Sequence, residues 1–127
     1  MSYELTIEER PTYLHAKVTG ERTPENALRF LEEVYAACVA SGRSDALLEM
    51  RLSGPSLGTS GIFRVISERS PDGSRLRRIA YVEGSMGDPA KARFAETVAV
   101  NRNVNVRLFP DVAAAARWLT DDGLNGQ

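Results

Sequence analysis

Between Tyr3 and Leu119 the chain switches repeatedly between two hydrophobic periods, and the order of those switches admits few folds. Tyr3, Leu5 and Ile7 alternate with Glu4, Thr6 and Glu8, the period of a strand with one buried face. Leu14, Ala16 and Val18 repeat that pattern after Arg10-Pro11-Thr12, so the two runs predict an antiparallel hairpin. Thr23-Pro24-Glu25 then supplies an N-cap, a proline at the first helical position and an acid in the first turn. Behind it Ala27, Leu28, Leu31, Val34, Tyr35 and Cys38 share one helical face, and Gly42 is a natural stop. From there strand and helix alternate: a strand over 46–52, a short helix over 59–68 and a strand over 78–83. Asp88-Pro89 opens a helix carrying Phe94, Ala95 and Val98 that ends near Asn101. Val104, Val106 and Leu108 alternate as a further strand, and Asp111 caps a last helix through Val112, Ala115, Ala116 and Leu119.

A β-β-α-β-α-β-α-β-α order predicts an α/β fold: a mixed, mostly parallel sheet with an N-terminal β-hairpin and four helices covering its faces. The expected core is Leu5, Ile7, Leu14, Val18, Leu31, Val34, Leu48, Ile79, Val82, Phe94, Val98, Val106 and Leu119. At 127 residues the chain fits one domain over 1–127, its core covering about residues 3–120, with a tail over 121–127 expected to fray.

With 43% hydrophobic and 26% charged residues, the composition is that of an ordinary folded protein. Sixteen basic and seventeen acidic residues leave a net charge of -1, so no global basic field draws the chain to nucleic acid. The start Met1-Ser2-Tyr3-Glu4-Leu5 lacks a basic and then apolar leader, and no apolar run approaches the ~20 residues of a membrane span. A soluble, cytoplasmic protein is expected. Cys38 is the one cysteine, which excludes an internal disulfide and predicts a reduced, partly buried thiol. His15, the one histidine, falls with Tyr13 and Lys17 opposite the apolar row of its strand and is expected at the surface. Neither residue has metal-ligand spacing to others, so no metal is expected.

Gly54-Pro55-Ser56-Leu57-Gly58 matches G-x-S-x-G between a strand and a helix, the place of a hydrolase nucleophile. That chemistry needs a histidine base downstream of the serine, and His15 precedes it. Phosphate-binding glycine motifs are absent too, so the chain is expected to be no enzyme and to hold no cofactor. The segment still gathers backbone N–H groups where a strand empties through a Gly/Ser/Thr loop into a helix start, which favours an anion or a phosphorylated hydroxyl. Ser53, Gly54, Ser56, Gly58, Gly61 and Ile62 are therefore the candidate partner-binding loop. Arg75, Arg77 and Arg78, and separately Lys91, Arg93, Arg102 and Arg107, read as solvated basic faces, with contact to anionic lipid or an acidic partner as the alternative.

Val18-Thr19-Gly20-Glu21 before the first helix, Gly58-Thr59-Ser60-Gly61 at the second, Arg93 to Val98, Asn101-Arg102 and Asn105 to Phe109 occur in an order that resembles the STAS (anti-sigma-factor antagonist) superfamily, in its SpoIIAA-like branch. The resemblance covers residues 3–120 and implies a non-enzymatic bacterial regulatory module that binds a protein, a kinase or an anti-sigma-like regulator. Typical members carry Asp-Ser-Ser/Thr-Gly at the second helix and are phosphorylated on the first hydroxyl. By this resemblance Thr59 is the phosphorylation candidate, with Ser60 as its substitute. Gly58 stands where the aspartate would be, and Arg22-Thr23 replaces the acid that follows the Gly-Glu pair. The competing reading of Thr59 and Ser60 is that they only cap the helix. SpoIIAA-like domains are also similar to the lipid-binding Sec14 type, which implies an apolar ligand or a membrane surface as the alternative function.

Overall fold

Leu5 lies opposite Val18 and Ile7 opposite Ala16, so the predicted hairpin forms in the register that puts both apolar rows on one face. The computed structural model describes residues 3–54, 58–83 and 89–120, the side chains at 89, 91 and 92 apart. The hairpin strands are β1 (Tyr3–Glu9) and β2 (Leu14–Glu21), followed by α1 (Pro24–Ser41), β3 (Asp45–Ser53), α2 (Thr59–Gly73), β4 (Arg78–Glu83), α3 (Pro89–Asn101), β5 (Val106–Phe109) and α4 (Val112–Thr120). The five strands lie side by side in chain order, β1 antiparallel to β2 and every later neighbour parallel. This is the α/β arrangement expected from the sequence.

Alternation along the strands divides the apolar residues between two faces. Leu14, Ala16, Val18, Ala46, Leu48, Met50 and Ile79 point to one face and pack against Phe30, Val34, Tyr35 and Cys38 of α1 and Ala99 of α3. Leu47, Ala80 and Val82 point to the other and pack against Ala115 and Leu119 of α4, with Tyr13 and Phe109 beside them. Of the expected core, Leu14, Val18, Val34, Leu48, Ile79, Val82, Val98 and Leu119 are buried. Leu5, Ile7 and Val106 are half-buried against the main cluster, because β1 and β5 are edges, and Leu31 of α1 is half-buried there too. Phe94 is also half-buried, and the inner positions of α3 belong to Val98 and Ala99.

The caps follow the sequence. Thr23 is extended and its hydroxyl accepts from the Asn26 N–H at 3.0 Å, while Gly42 closes α1 in the left-handed conformation at φ 73°. Asp111 Oδ1 accepts from the Ala114 N–H at 2.8 Å at the start of α4. Two boundaries differ by more than one residue. Helix α2 runs to Gly73 rather than residue 68, straight through Pro71. That proline lacks the N–H that the Ser67 carbonyl would receive, and the Ser70 hydroxyl donates to that carbonyl instead, at 3.0 Å. β5 starts at Val106, because Asn103 adopts φ 62° and turns Val104 inward to donate to the Ala99 carbonyl at 2.8 Å.

Two charged expectations are also corrected. Arg78 is buried, not solvated: its guanidinium donates to Asp45 at 2.9 Å and to the Trp118 and Leu119 carbonyls at 2.7 and 2.5 Å. Asp45 is 1% exposed and also receives Arg77, so the Arg77-Arg78 pair neutralises a buried carboxylate and holds the end of α4. His15 is likewise no surface histidine, since its Nε2 lies 2.9 Å from Glu49 Oε1 with both side chains nearly covered. Arg51 Nε donates to the other oxygen of Glu49 at 3.0 Å. Burial alone would raise the Glu49 pKa, but the bonds from His15 and Arg51 outweigh it and hold the carboxyl below its usual range.

Candidate functional site

The sequence run that ends β3 and opens α2 delivers its polar groups to the carboxyl-end rim of the parallel strands. Ser53 ends β3 with its hydroxyl donating to the Gly20 carbonyl at 3.2 Å, and Gly54 leaves the sheet at φ 94°, a conformation that favours glycine. Ser56 lies outside the described residues. Helix α2 is then capped by Gly58, whose extended backbone accepts the first helical bond from the Ile62 N–H at 3.0 Å. Among the described residues no side chain caps this helix, so Thr59 and Ser60 do not act as caps. Among the described residues their hydroxyls have no partner, and Gly58, Thr59 and Ser60 are exposed.

The N–H groups of Thr59, Ser60 and Gly61 precede that first bond and face outward from the helix start, and no acid occupies the first turn. The positive end of the helix dipole is therefore uncompensated by any side chain of α2 itself. Gly61 and Ile62 are half-buried, while Phe63 is 46% exposed with the Arg102 guanidinium 4.6 Å above its ring. Thus Ser53 and Gly54 lie at the end of β3, and Gly58, Thr59, Ser60, Gly61 and Ile62 lie at the start of α2.

What anchors the end of β3 is Arg22, which sequence reasoning noted only as a departure. Its backbone N–H donates to the Ser53 carbonyl at 2.8 Å, and its Nε donates to Glu83 Oε2 at 3.0 Å. Its terminal nitrogens donate to the Leu52 carbonyl at 3.3 Å and to the Gly54 carbonyl and Glu83. One guanidinium thus ties together the ends of β2, β3 and β4. The Tyr81 hydroxyl donates to the remaining Glu83 oxygen at 3.3 Å, and burial drives the Tyr81 phenol far above its ordinary pKa, so it stays protonated as a donor. The one signal in the sequence was position: Arg22 directly follows the end of the second strand pattern, and Glu83 directly follows Val82, the last apolar residue of a later one.

Cys38, expected only partly buried, is fully covered, and burial pushes its thiol up to about 11, which keeps it unreactive. Among the described residues no group of three or more histidine, cysteine or acidic side chains is placed to hold a metal ion. None of the described helices is long and apolar enough to cross a membrane.

No family model and no curated protein matches the chain. Among solved structures it is similar to an uncharacterized protein of the DUF3478 family with a SpoIIAA-like fold from Shewanella loihica PV-4. The two are 19% identical, the match covers 92% of this chain and 93% of that one, and the TM-score is 0.56. The protein is thus of the α/β class with a single mixed sheet. Its fold is SpoIIAA-like, as the resemblance in sequence implied.

Proposed function

We propose that the chain is a non-enzymatic bacterial regulatory module of STAS type, which binds another protein through residues 53–62 and is switched by phosphorylation of Thr59, with Ser60 as substitute. The observation that carries this reading is the bare start of α2: two exposed hydroxyls without partners among the described residues, beside N–H groups that nothing in α2 neutralises. A phosphate there brings about -1.5 to -2 charges, and a helix N-terminus tolerates them. The dipole contributes only about 0.3 to 1 kcal/mol, whereas each tenfold change in affinity needs about 1.4 kcal/mol. Repulsion and desolvation within the partner interface supply the rest of the switch.

The non-enzymatic part of the reading is supported by the place of His15. It is tied to Glu49 on the sheet face opposite α2 and cannot serve a serine of the 53–58 loop as base. The experiment is a quantitative affinity capture from the native cytoplasm with wild type, Thr59→Ala and Thr59→Glu as baits. One partner should be held by wild type and Thr59→Ala and lost with Thr59→Glu, at equal unfolding stability. Equal capture by all three baits would refute the switch.

A second reading, contact with an anionic membrane surface, is favoured by exposed Phe63 carrying Arg102 over its ring. It predicts sedimentation with phosphatidylserine vesicles that weakens with salt and is lost in Phe63→Ala.

A further inference from the structure

The two edges of the sheet are built differently. On β5, Val106 pairs with Ile79 and Leu108 with Tyr81, and the Ile79 N–H donates to the Asn105 carbonyl at 2.9 Å. By the alternation of a parallel ladder, residues 105, 107 and 109 face β4, and the peptide groups of Val106 and Leu108 face outward. Both outward N–H groups are already used: Val106 donates to the Val104 carbonyl at 3.1 Å, and Leu108 donates to Glu96 Oε2 at 3.0 Å. With four residues and Pro110 directly behind, this edge is closed.

β1 has none of these devices. It runs seven residues in unbroken register, without proline or bulge. The Arg10 N–H donates to the Tyr13 carbonyl at 2.9 Å, so antiparallel alternation turns Glu8, Thr6 and Glu4 toward β2 and leaves Leu5, Ile7 and Glu9 facing outward. Among the described residues nothing meets the N–H groups of Leu5 and Ile7. Tyr3, Leu5 and Ile7 are only half-buried, so an added strand has apolar surface left to cover.

We infer that β1 is an open strand-addition site, and that its occupant is β1 of a second copy, antiparallel about a twofold axis at Ile7. In that register Ile7 faces Ile7, Thr6 faces Glu8, Leu5 faces Glu9, and Glu4 faces Arg10, twice by symmetry. Moving the axis to Thr6 sets Glu4 against Glu8, moving it to Glu8 sets that carboxylate against itself, and moving it to Leu5 leaves Glu4 without a cation. Charge complementarity thus selects the Ile7 axis. Within one copy Arg10 bonds Glu8 at 2.6 Å, but both side chains are about half exposed, and such pairs hold weakly. Pairing joins two five-stranded sheets into one, and the closed β5 edges stop growth there, so the product is a dimer and not a fibre. The seam is short, which makes the dimer a weak one. None of this depends on the α2 site.

Sedimentation equilibrium of the full chain tests the inference, together with amide exchange at several concentrations. Wild type should dimerise reversibly below about 1 mM, with the Leu5 and Ile7 amides exchanging more slowly as concentration rises and the Leu108 amide indifferent to it. Glu4→Arg and Arg10→Glu, both at exposed positions, should each raise the dimer dissociation constant about tenfold, and the double exchange should restore it. A wild type that stays monomeric at the highest concentration, or a dimer indifferent to Glu4→Arg, overturns the proposal. A double variant that fails to recover overturns the Ile7 register.

Discussion

Arg22 and Glu83 form an ion pair across the ends of two strands that do not touch each other, with β3 lying between them. Both side chains are largely covered, at 12% and 13% exposure, and Arg22 also binds the Leu52 and Gly54 carbonyls at the root of the candidate loop. Removing one partner of such a pair strands the other charge. Arg22→Ala should therefore cost about 3 to 5 kcal/mol in denaturant unfolding, and Arg22→Lys should recover little of it, because an ammonium cannot span those acceptors as a planar fork does. A loss below about 1 kcal/mol would show that the loop root is held by other contacts.

Arg78 predicts how α4 is fastened. It joins buried Asp45 to the terminal carbonyls of α4 and lies 5.3 Å from the ring centre of Trp118, the one tryptophan. Arg78→Ala should shift Trp118 emission to the red and lower stability by about 3 to 5 kcal/mol. The double change Asp45→Asn, Arg78→Met should regain part of that loss, since it removes the stranded carboxylate. Unchanged emission in the single variant would contradict the latch.

Glu49 sets an acid limb. Its folded pKa lies below the ordinary glutamate value of 4.5, so its contribution is complete above that value and is lost as pH falls through the depressed one. Urea midpoints measured from pH 7 down to pH 2 should show wild type losing its advantage over Glu49→Gln across that acid window. Parallel curves for the two proteins would remove Glu49 from the acid response.

Cys38 reports on opening of the main core. Burial places its thiol at about 11, so little thiolate exists near neutrality even when a reagent arrives. Labelling by a disulfide reagent should thus follow global unfolding, with the same denaturant dependence. Fast labelling of the native protein would show that α1 frays at that turn.

The parts of the fold that were legible in the sequence are those fixed by near neighbours. The Thr23-Pro24 start, the Gly42 stop and the Asp111 cap each depend on atoms within a few residues. The last turn of α2, past residue 68, was missed because what carries the helix through Pro71 is a side-chain bond, from the Ser70 hydroxyl to the Ser67 carbonyl, that residue types alone do not announce. Arg78 and His15 were misplaced for another reason. Their carboxylate partners, Asp45 and Glu49, lie on β3 and meet them only once the strands align. At the candidate site the sequence located the exposed start of α2, but it left open whether Thr59 and Ser60 cap the helix. Gly58 takes that role, with its backbone alone.

The central claim is that the exposed hydroxyls of Thr59 and Ser60 at the start of α2 are a control point. Its most direct measurement is phosphopeptide mapping of the protein recovered from its own cells, across growth conditions and with phosphatase inhibited. The account predicts one phosphate, on Thr59 or in its place on Ser60, in a fraction of molecules that changes with condition. Complete coverage of residues 53–64 with both hydroxyls unmodified in every condition would contradict it.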